Sequence, residues 1–215
     1  MLTVTALLIL LPTLFFLFYE FRLPQWQSLT PGEKVLGALF QSVTPRTAGY
    51  NTVDLTLLSE PSQLIITMLM LIGASPGSTA GGFKVTTLAV FFLAAKAVFR
   101  RKESLQSFGR RLPMETLRSA AAIFLMYLVL FFLGGIAICC MEGVTLGAAL
   151  FETASAIGTV GLTLGITPDL GAASQLILIF LMYFGRVGGL TLIYAVLPDS
   201  GAVPSQLPQE RISVG

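Results

Sequence analysis

The stretch Thr47-Ala48-Gly49-Tyr50 has a counterpart in the second half of the chain, Thr159-Val160-Gly161-Leu162. Each stretch follows a short apolar segment and precedes a long one, so the chain carries the same arrangement twice. Glycine allows backbone carbonyls to turn toward one side, and rings of carbonyls replace the water around a K⁺ ion in a selectivity filter. The pattern predicts two filter segments whose backbone carbonyls bind K⁺: Thr47, Ala48, Gly49 and Tyr50, then Gly158, Thr159, Val160, Gly161 and Leu162.

The similarity between the two halves extends beyond the filter segments. Ala38-Leu39-Phe40-Gln41 matches Ala149-Leu150-Phe151-Glu152, and the residues from Leu64 to Gly73 match those from Leu176 to Gly185. The spacing between matched residues is nearly constant along the chain. A tripeptide alone is typical of many loops, whereas a repeated context indicates an internal duplication. We therefore expect two copies of one structural unit.

The composition indicates a membrane protein. Hydrophobic residues make up 54% of the chain and charged residues only 11%, whereas about a quarter of a soluble domain is charged. Four stretches are long enough to cross a hydrocarbon core of about 30 Å: Leu2 to Phe18, Pro61 to Phe99, Ala120 to Met141 and Ala172 to Leu197. Two shorter apolar stretches, Gly32 to Val43 and Thr145 to Ile157, suit re-entrant pore helices. The predicted fold class is an all-α integral membrane protein of two helix-pore loop-helix repeats with extended filter segments.

Basic residues between the second and third spans predict the orientation. They are Lys96, Arg100, Arg101, Lys102, Arg110, Arg111 and Arg118. Basic loops stay in the cytoplasm, so both termini should be cytoplasmic and both filter segments should enter from the outer face of a bacterial inner membrane. Apolar spans flank the basic loop closely, which argues against a nucleic-acid partner. The first span lacks the basic start and cleavage site of a secretory signal, so we expect it to be retained.

The predicted organisation has four parts. Residues 1–99 form the first repeat, whose second helix is broken, and residues 119–197 form the second repeat. Residues 100–118 form the basic cytoplasmic loop between them, and residues 198–215 form a cytoplasmic tail. The first pore helix should begin at Thr30-Pro31-Gly32-Glu33, a capping signal. Its carboxyl end would then carry a partial negative charge near the filter and favour a cation there, although an ordinary interfacial helix would begin in the same way.

The second span of the first repeat contains a stretch that a helix does not tolerate. Its residues are Gly73, Ala74, Ser75, Pro76, Gly77, Ser78, Thr79, Ala80, Gly81 and Gly82. Irregular backbone at membrane depth occurs where it is buried in protein or lines a wet cavity, so the stretch should face the pore below the filter. A phosphate-binding loop is excluded because Lys84 follows Phe83 and precedes Val85 instead of completing the Gly-Lys-Ser/Thr pattern.

Two cationic side chains lie at membrane depth. Arg186 is expected to face the permeation path or to pair with the irregular stretch, where it opposes cation passage in a closed state; the alternative is a structural arginine held by carbonyls. Lys84 admits the same interpretation, or it extends to the membrane interface. Arg46 and Glu152, near the filter ends, are expected to brace their pore loops through a hydrogen bond or ion pair.

The stretches from Ser42 to Thr52, Gly73 to Lys84 and Gly158 to Leu162 resemble the Trk/Ktr/HKT superfamily of K⁺ and Na⁺ transporters, and most closely its Ktr/Trk potassium-uptake subunits. Members have four fused repeats, one filter glycine in each, a gating loop in the third and an arginine in the fourth. The resemblance is to the third and fourth repeats. It implies that Gly49 and Gly161 are filter glycines, that Gly73 to Gly82 with Lys84 form the gate, and that Arg186 is its partner.

The resemblance implies channel-like K⁺ uptake through a filter gated by an intramembrane loop. Two filter segments do not encircle an ion, so further repeats must come from upstream sequence or another chain. Implied partners are a second membrane subunit in a homodimer, a cytoplasmic nucleotide-binding regulatory subunit and membrane lipid. The alternatives are a non-conducting membrane scaffold or assembly partner and a Na⁺-permeable or Na⁺-coupled transporter. Glycine in both filter positions favours K⁺, whereas serine there suits Na⁺ in the plant branch.

Enzymatic chemistry finds no support in the sequence. Histidine is absent, and no nucleophile-base pair or metal-ligand cluster is recognisable. We expect a protein that is not an enzyme and has no covalent cofactor, with K⁺ or Na⁺ as the transported ion. The adjacent Cys139 and Cys140 are interpreted as small apolar residues.

Overall fold

The computed structural model describes residues 2–101, 106–107 and 110–188. The chain is helical over most of this length. The α-helices are α1 Leu2–Phe18, α2 Pro31–Val43, α3 Glu60–Leu71, α4 Val85–Phe99, α5 Met114–Glu142, α6 Leu146–Ile157 and α7 Ala172–Val187. Two antiparallel strands of two residues each, β1 Gln106–Ser107 and β2 Arg110–Arg111, lie between α4 and α5.

The helices follow the apolar stretches of the sequence. Helix α1 coincides with the first predicted span, and the predicted break separates α3 from α4. Two helical segments, Leu2–Arg22 and Met114–Glu142, are long and apolar enough to cross a membrane; α4, α6 and α7 are shorter apolar helices. The part of the fourth predicted span beyond residue 188 and the tail 198–215 lie outside the described residues.

The start of α5 corrects one predicted boundary. The charges predict a basic loop that continues to residue 118, but α5 begins at Met114 and already contains Glu115 and Arg118. Pro113 precedes the helix in an extended conformation. A helix can extend beyond the apolar part of its sequence because its backbone hydrogen bonds are internal, so the loop is shorter than its charges indicate.

Helix α6 lies at the centre of the fold. It packs against α3, α5 and α7, and every residue from 151 to 157 is buried. Two glycines let α5 approach its neighbours closely: a Cβ at Gly134 would lie 2.9 Å from Leu181 Cδ1 of α7, and one at Gly135 would lie 2.5 Å from Leu150 Cδ2 of α6. Small residues let membrane helices approach closely. Helix α2 packs mainly against α1 and buries only Ala38, Gln41 and Ser42.

The duplication is visible in irregular segments as well as in helices. Short 3₁₀ turns at Leu55–Leu57 and Thr167–Asp169 occupy equivalent places in the two repeats, before α3 and α7. The Gln63 side chain donates to the carbonyl of Leu58 at 3.1 Å, and Gln175 donates to the carbonyl of Leu170 at 3.0 Å. In both repeats, a glutamine side chain therefore holds the turn that precedes the helix after the filter segment, which is α3 in the first repeat and α7 in the second.

A carboxylate ties the first helix of the first repeat to the helix that follows its filter segment. Glu20, just after α1, is fully buried. It accepts hydrogen bonds from Trp26 Nε1 at 2.9 Å, from Ser59 Oγ at 2.5 Å and from Ser62 Oγ at 2.6 Å. Ser59 precedes α3 and Ser62 lies in its first turn, so Glu20 anchors the amino end of that helix, where negative charge is favourable.

The second repeat has an equivalent carboxylate. Glu142, at the end of α5, accepts from the backbone N–H of Gly171 at 2.9 Å and from Ser174 Oγ at 2.5 Å. Gly171 and Ser174 occupy the positions of Ser59 and Ser62 in the first repeat. The sequence analysis missed both anchors. The signal that could have found them is the match of Ser62-Gln63 with Ser174-Gln175, immediately before the aligned leucines.

Candidate functional site

Helices α2 and α6, the predicted pore helices, end immediately before the two predicted filter segments. Helix α2 begins as predicted, with Thr30 as N-cap, Pro31 in the first turn and a capping box to Glu33. The Thr30 N–H donates to the Glu33 carboxylate at 2.7 Å, and hydrogen bonds from Thr30 hold the pKa of Glu33 below its usual value. Helix α6 begins with a simpler cap, in which the Ala148 N–H donates to Thr145 Oγ1 at 3.4 Å. Both helix dipoles thus favour a cation beside the filter.

The filter segments share an unusual backbone. Thr47 and Gly49 have φ of 72° and 73°, and Thr159 and Gly161 have φ of 52° and 91°. Threonine rarely adopts a positive φ, so its occurrence at equivalent positions of both repeats is a strong mark of a shared conformation. In an extended strand, successive groups point to opposite sides. Left-handed residues interrupt this alternation in both segments.

The two filter segments approach each other closely. A Cβ built on Gly49 would overlap the carbonyl oxygen of Val160, whereas one on Gly161 would have no neighbour within 4 Å. Gly49 is therefore required both by its φ and by the space beside it. Gly161 is required by its φ alone.

Hydroxyl groups at the ends of the pore helices hold each filter segment. Thr44 Oγ1 donates to the carbonyl of Tyr50 at 2.6 Å and accepts from the Tyr50 N–H at 3.0 Å. Ser155, the counterpart of Thr44 when the two pore helices are aligned, accepts at Oγ from the Gly161 N–H at 3.2 Å. A hydroxyl group thus occurs at the same position of both repeats. Thr44 both donates to and accepts from Tyr50, whereas Ser155 accepts from Gly161. Sequence analysis did not identify either residue.

The expectation of a brace is confirmed at Glu152. Its carboxylate accepts from Thr163 Oγ1 and Thr167 Oγ1, each at 2.6 Å, and from the Leu164 N–H at 3.0 Å. For Arg46, the expected brace is not seen at Nε, which is buried without a hydrogen-bond partner in the described part of the chain.

The break between α3 and α4 is a loop whose two ends are joined by backbone hydrogen bonds. The Gly73 N–H donates to the Phe83 carbonyl at 2.8 Å, and the Phe83 N–H donates to the Leu71 carbonyl at 3.1 Å. The two ends of the break therefore meet, and the residues between them project as a loop. A Cβ on Gly73 would overlap the carbonyl oxygen of Gly81, and one on Gly82, where φ is 71°, would lie 2.6 Å from that of Leu71.

This loop lies against the second filter segment. The Gly81 N–H donates to Thr159 Oγ1 at 3.1 Å, and the Gly82 N–H donates to the Ile157 carbonyl at 3.2 Å. A Cβ on Gly81 would lie 2.7 Å from Thr159 Oγ1. The irregular stretch and the filter are therefore in direct contact. Thr47, the equivalent of Thr159, has its Oγ1 buried without a partner among the described residues.

Both cationic side chains bind the loop. Arg186 Nη1 donates to the Thr79 carbonyl at 2.8 Å, and Lys84 Nζ donates to the Ala80 carbonyl at 2.5 Å. The contact of Arg186 with the Thr79 carbonyl agrees both with pairing to the irregular stretch and with a structural arginine held by carbonyls. A cavity of about 550 Å³ lies beside the second filter segment, and its lining includes Thr159, Gly161, Glu152 and Arg186. Filter, brace and arginine thus face one space.

Among the described residues, no group of three or more His, Cys, Asp or Glu side chains is placed to hold a metal ion. Cys139 and Cys140 have free thiols. The oxygen atoms that the site offers as ion ligands belong to backbone carbonyls and hydroxyl groups. Such oxygens suit a weakly bound hard cation better than a tightly held transition metal.

The model of a family described as TrkH, cation transport protein, matches residues 1–203. The chain therefore belongs to the TrkH family of cation transport proteins, which confirms the resemblance seen in the sequence. The family is one of transporters, in agreement with the expectation that this protein is not an enzyme.

Individual relatives cover the whole chain but only part of their own length. Ktr system potassium uptake protein B of Vibrio alginolyticus is 40% identical over 217 aligned residues, which are 100% of this chain and 47% of the relative. The potassium/sodium uptake protein NtpJ of Enterococcus hirae is 36% identical over 220 residues, with coverage of 100% and 49%. The chain thus spans about half the length of the curated relatives that it matches.

A solved structure shares the fold. The crystal structure of the potassium transporter TrkH from Vibrio parahaemolyticus superposes with a TM-score of 0.75 at 23% sequence identity. The match covers 92% of this chain and 43% of that one. The helical arrangement described above is therefore shared with part of that solved structure.

Proposed function

We propose that this chain supplies two repeats of a K⁺ uptake pore, in which ions pass along the carbonyls of its two filter segments. The observation that carries the proposal is the shared filter backbone. Positive φ values recur at Thr47 and Thr159 and at Gly49 and Gly161, and the two segments come together at Gly49 and Val160. A conformation unfavourable for threonine persists only where surrounding structure imposes it, and it concentrates at functional sites.

The short helices α2 and α6 are the re-entrant pore helices of this proposal. They contain 13 and 12 residues, which at about 1.5 Å per residue reach only about two thirds of a 30 Å hydrocarbon core. Residues 1–99 and 119–197 are then two membrane-crossing repeats. The basic residues between α4 and α5, with both termini, face the cytoplasm of a bacterial inner membrane.

The loop Gly73–Gly82, with Lys84 and Arg186, acts as the gate. Support comes from its contact with Thr159 and from the two cationic side chains that bind its carbonyls. In this state an ion leaving the filter meets backbone that blocks the path and positive charge that repels it. Opening requires the loop to release Thr159 and Arg186, which costs a few hydrogen bonds of about 1 kcal/mol each.

Potassium is the proposed ion because both filter positions hold glycine and because one relative is named a potassium uptake protein. The name of a second relative includes sodium, so Na⁺ permeation is the second candidate. The remaining walls of the pore would come from upstream sequence or another chain. A homodimer, surrounding lipid and a cytoplasmic nucleotide-binding subunit acting on the gate complete the proposal.

Uptake in a K⁺-uptake-deficient bacterium tests this function. Three forms are compared for Rb⁺ uptake and growth at low K⁺: the chain alone, the chain with its native upstream sequence, and that extended form with Gly161→Ser. Rescue by the extended form, weakened by the serine, is the expected result. Rescue by none of the forms, with the protein present in the membrane, would contradict the proposal and favour a non-conducting scaffold.

A further inference from the structure

Glu152 and Ser155 lie one turn apart on α6 and bind successive parts of the chain that follows it. Ser155 Oγ accepts from the N–H of Gly161, inside the filter segment. Glu152 accepts from the N–H of Leu164, just beyond the end of that segment. Both side chains are almost completely buried, with 4% exposure for Glu152 and 5% for Ser155. The second filter segment is therefore held both within its length and just beyond its end.

Both oxygens of the Glu152 carboxylate accept hydrogen bonds. One oxygen accepts from Thr163 Oγ1 and the Leu164 N–H, and the other accepts from Thr167 Oγ1. Thr163 also accepts from the Gly165 N–H at 2.9 Å. The segment from 163 to 167 is thus fixed to the pore helix through one side chain.

The first repeat lacks this brace. Gln41 is the equivalent of Glu152, and it is fully buried with neither amide atom hydrogen-bonded in the described part of the chain. The position that corresponds to Thr167 is Leu55, which has no hydroxyl group to donate. The brace at Glu152 is therefore an addition to the shared repeat and is not required for a repeat to fold.

We propose that Glu152 is a positioning residue for ion discrimination, acting as a hydrogen-bond brace and not as a charge that binds the ion. The inference rests on the proposed K⁺ transport function. Discrimination between K⁺ and Na⁺ depends on where carbonyls lie and how far they can move. A segment released beyond Leu162 lets the carbonyls of Val160 and Gly161 adjust to a smaller ion, so K⁺ loses its advantage.

Two substitutions separate the brace from the charge. In Glu152→Gln, the amide oxygen still accepts from the Leu164 N–H and the amide nitrogen donates to Thr167 Oγ1, so the brace remains while the charge is lost. Glu152→Ala removes both. The matched controls are Gln41→Leu, which removes an unpartnered amide in the first repeat, and Glu142→Gln, which neutralises a carboxylate that anchors α7 away from the filter.

The test measures the K⁺/Na⁺ flux ratio in proteoliposomes that contain the complete transporter. We expect the ratio to fall roughly tenfold in Glu152→Ala, about the effect of one lost hydrogen bond, and to stay within about twofold of wild type in Glu152→Gln and both controls. Hydrogen exchange of the purified protein provides a second readout. The Leu164 amide should lose protection in Glu152→Ala and keep it in Glu152→Gln.

Each contrary result has a distinct meaning. An unchanged ratio in Glu152→Ala, or an equal fall in Glu152→Gln, would overturn the proposed brace. If Glu152→Ala does not fold, Thr167→Val and Thr163→Val remove two donors from the other side and should lower the ratio in the same direction. Absence of K⁺ flux in wild type would overturn the transport function and the discrimination role with it, whereas unchanged Leu164 protection in Glu152→Ala would overturn the brace alone.

Discussion

The two filter segments have the same backbone but different surroundings. The second follows a pore helix that is buried throughout its last two turns and is contacted by the loop, by Ser155 and by Glu152. The first follows a pore helix whose last two turns leave Leu39 43% exposed and Val43 42% exposed. The difference teaches that the filter conformation is a property of the repeat, whereas its side-chain support depends on position in the fold.

The largest expected difference concerns the two filter glycines. Gly49→Ser combines a left-handed φ with a collision at the Val160 carbonyl, so we expect it to abolish Rb⁺ uptake. Gly161→Ser incurs only the left-handed strain of about 1–2 kcal/mol and should retain uptake with weaker preference for K⁺. Gly147→Ser, on a helix with open space around it, is the control. Equal loss in both filter variants would contradict the assigned surroundings.

The two carboxylate anchors should differ in stability. Glu20→Ala removes the acceptor of three side-chain donors at a fully buried site, and we expect a loss of about 3 kcal/mol of unfolding free energy. Glu142 is only partly buried and has two donors, so Glu142→Ala should cost about half as much. Thermal unfolding in detergent measures both. A larger loss in Glu142→Ala than in Glu20→Ala would contradict the finding that Glu20 is the more deeply buried of the two anchors.

A smaller effect is expected at the filter threonines. Thr159→Val removes the acceptor for the Gly81 N–H, whereas Thr47→Val removes a hydroxyl without a partner in the described residues. Loss of about 1 kcal/mol from the closed state raises basal K⁺ leak about fivefold in Thr159→Val only. Unstimulated Rb⁺ efflux from proteoliposomes measures this leak. Equal leak in both variants would contradict the proposal that the hydrogen bond between Gly81 and Thr159 stabilises the closed state.

The smallest effect concerns the starts of the pore helices. Thr30→Ala should destabilise the protein by about 1 kcal/mol at neutral pH, and more than Thr145→Ala, because only the first helix has a capping box. Hydrogen bonds from Thr30 lower the pKa of Glu33, so their stabilisation is complete above the ordinary glutamate pKa and is lost as the pH falls through the lowered one. The difference between the two variants should shrink in acid. Thermal unfolding at several pH values tests it, and a constant difference would show that the bond from Thr30 Oγ1 to the Glu33 carboxylate does not contribute to stability.

Local patterns in the sequence predict the helices well. The limits of α1, the capping signal of α2 and the break before α4 all follow from apolar runs, Thr30-Pro31 and the Gly-rich stretch. The positive φ of Thr47 and Thr159 is not predictable, because threonine disfavours it and tertiary structure imposes it. The pairing of Glu20 with Ser62 joins residues that are far apart in the chain, so only the repetition of Ser62-Gln63 at Ser174-Gln175 points to it. The early start of α5 escapes prediction because its first turns are charged and polar.

The most direct test of the account is the location of the ion. Crystals of the complete transporter soaked in Rb⁺ give an anomalous signal wherever a K⁺-like ion binds. The account predicts peaks beside the carbonyls of Ala48, Gly49, Val160 and Gly161, shared between the two segments, and their weakening in Gly161→Ser. Well-ordered filter segments with no peak beside either, or with a peak only elsewhere in the protein, would contradict the claim that these two segments form one cation pathway.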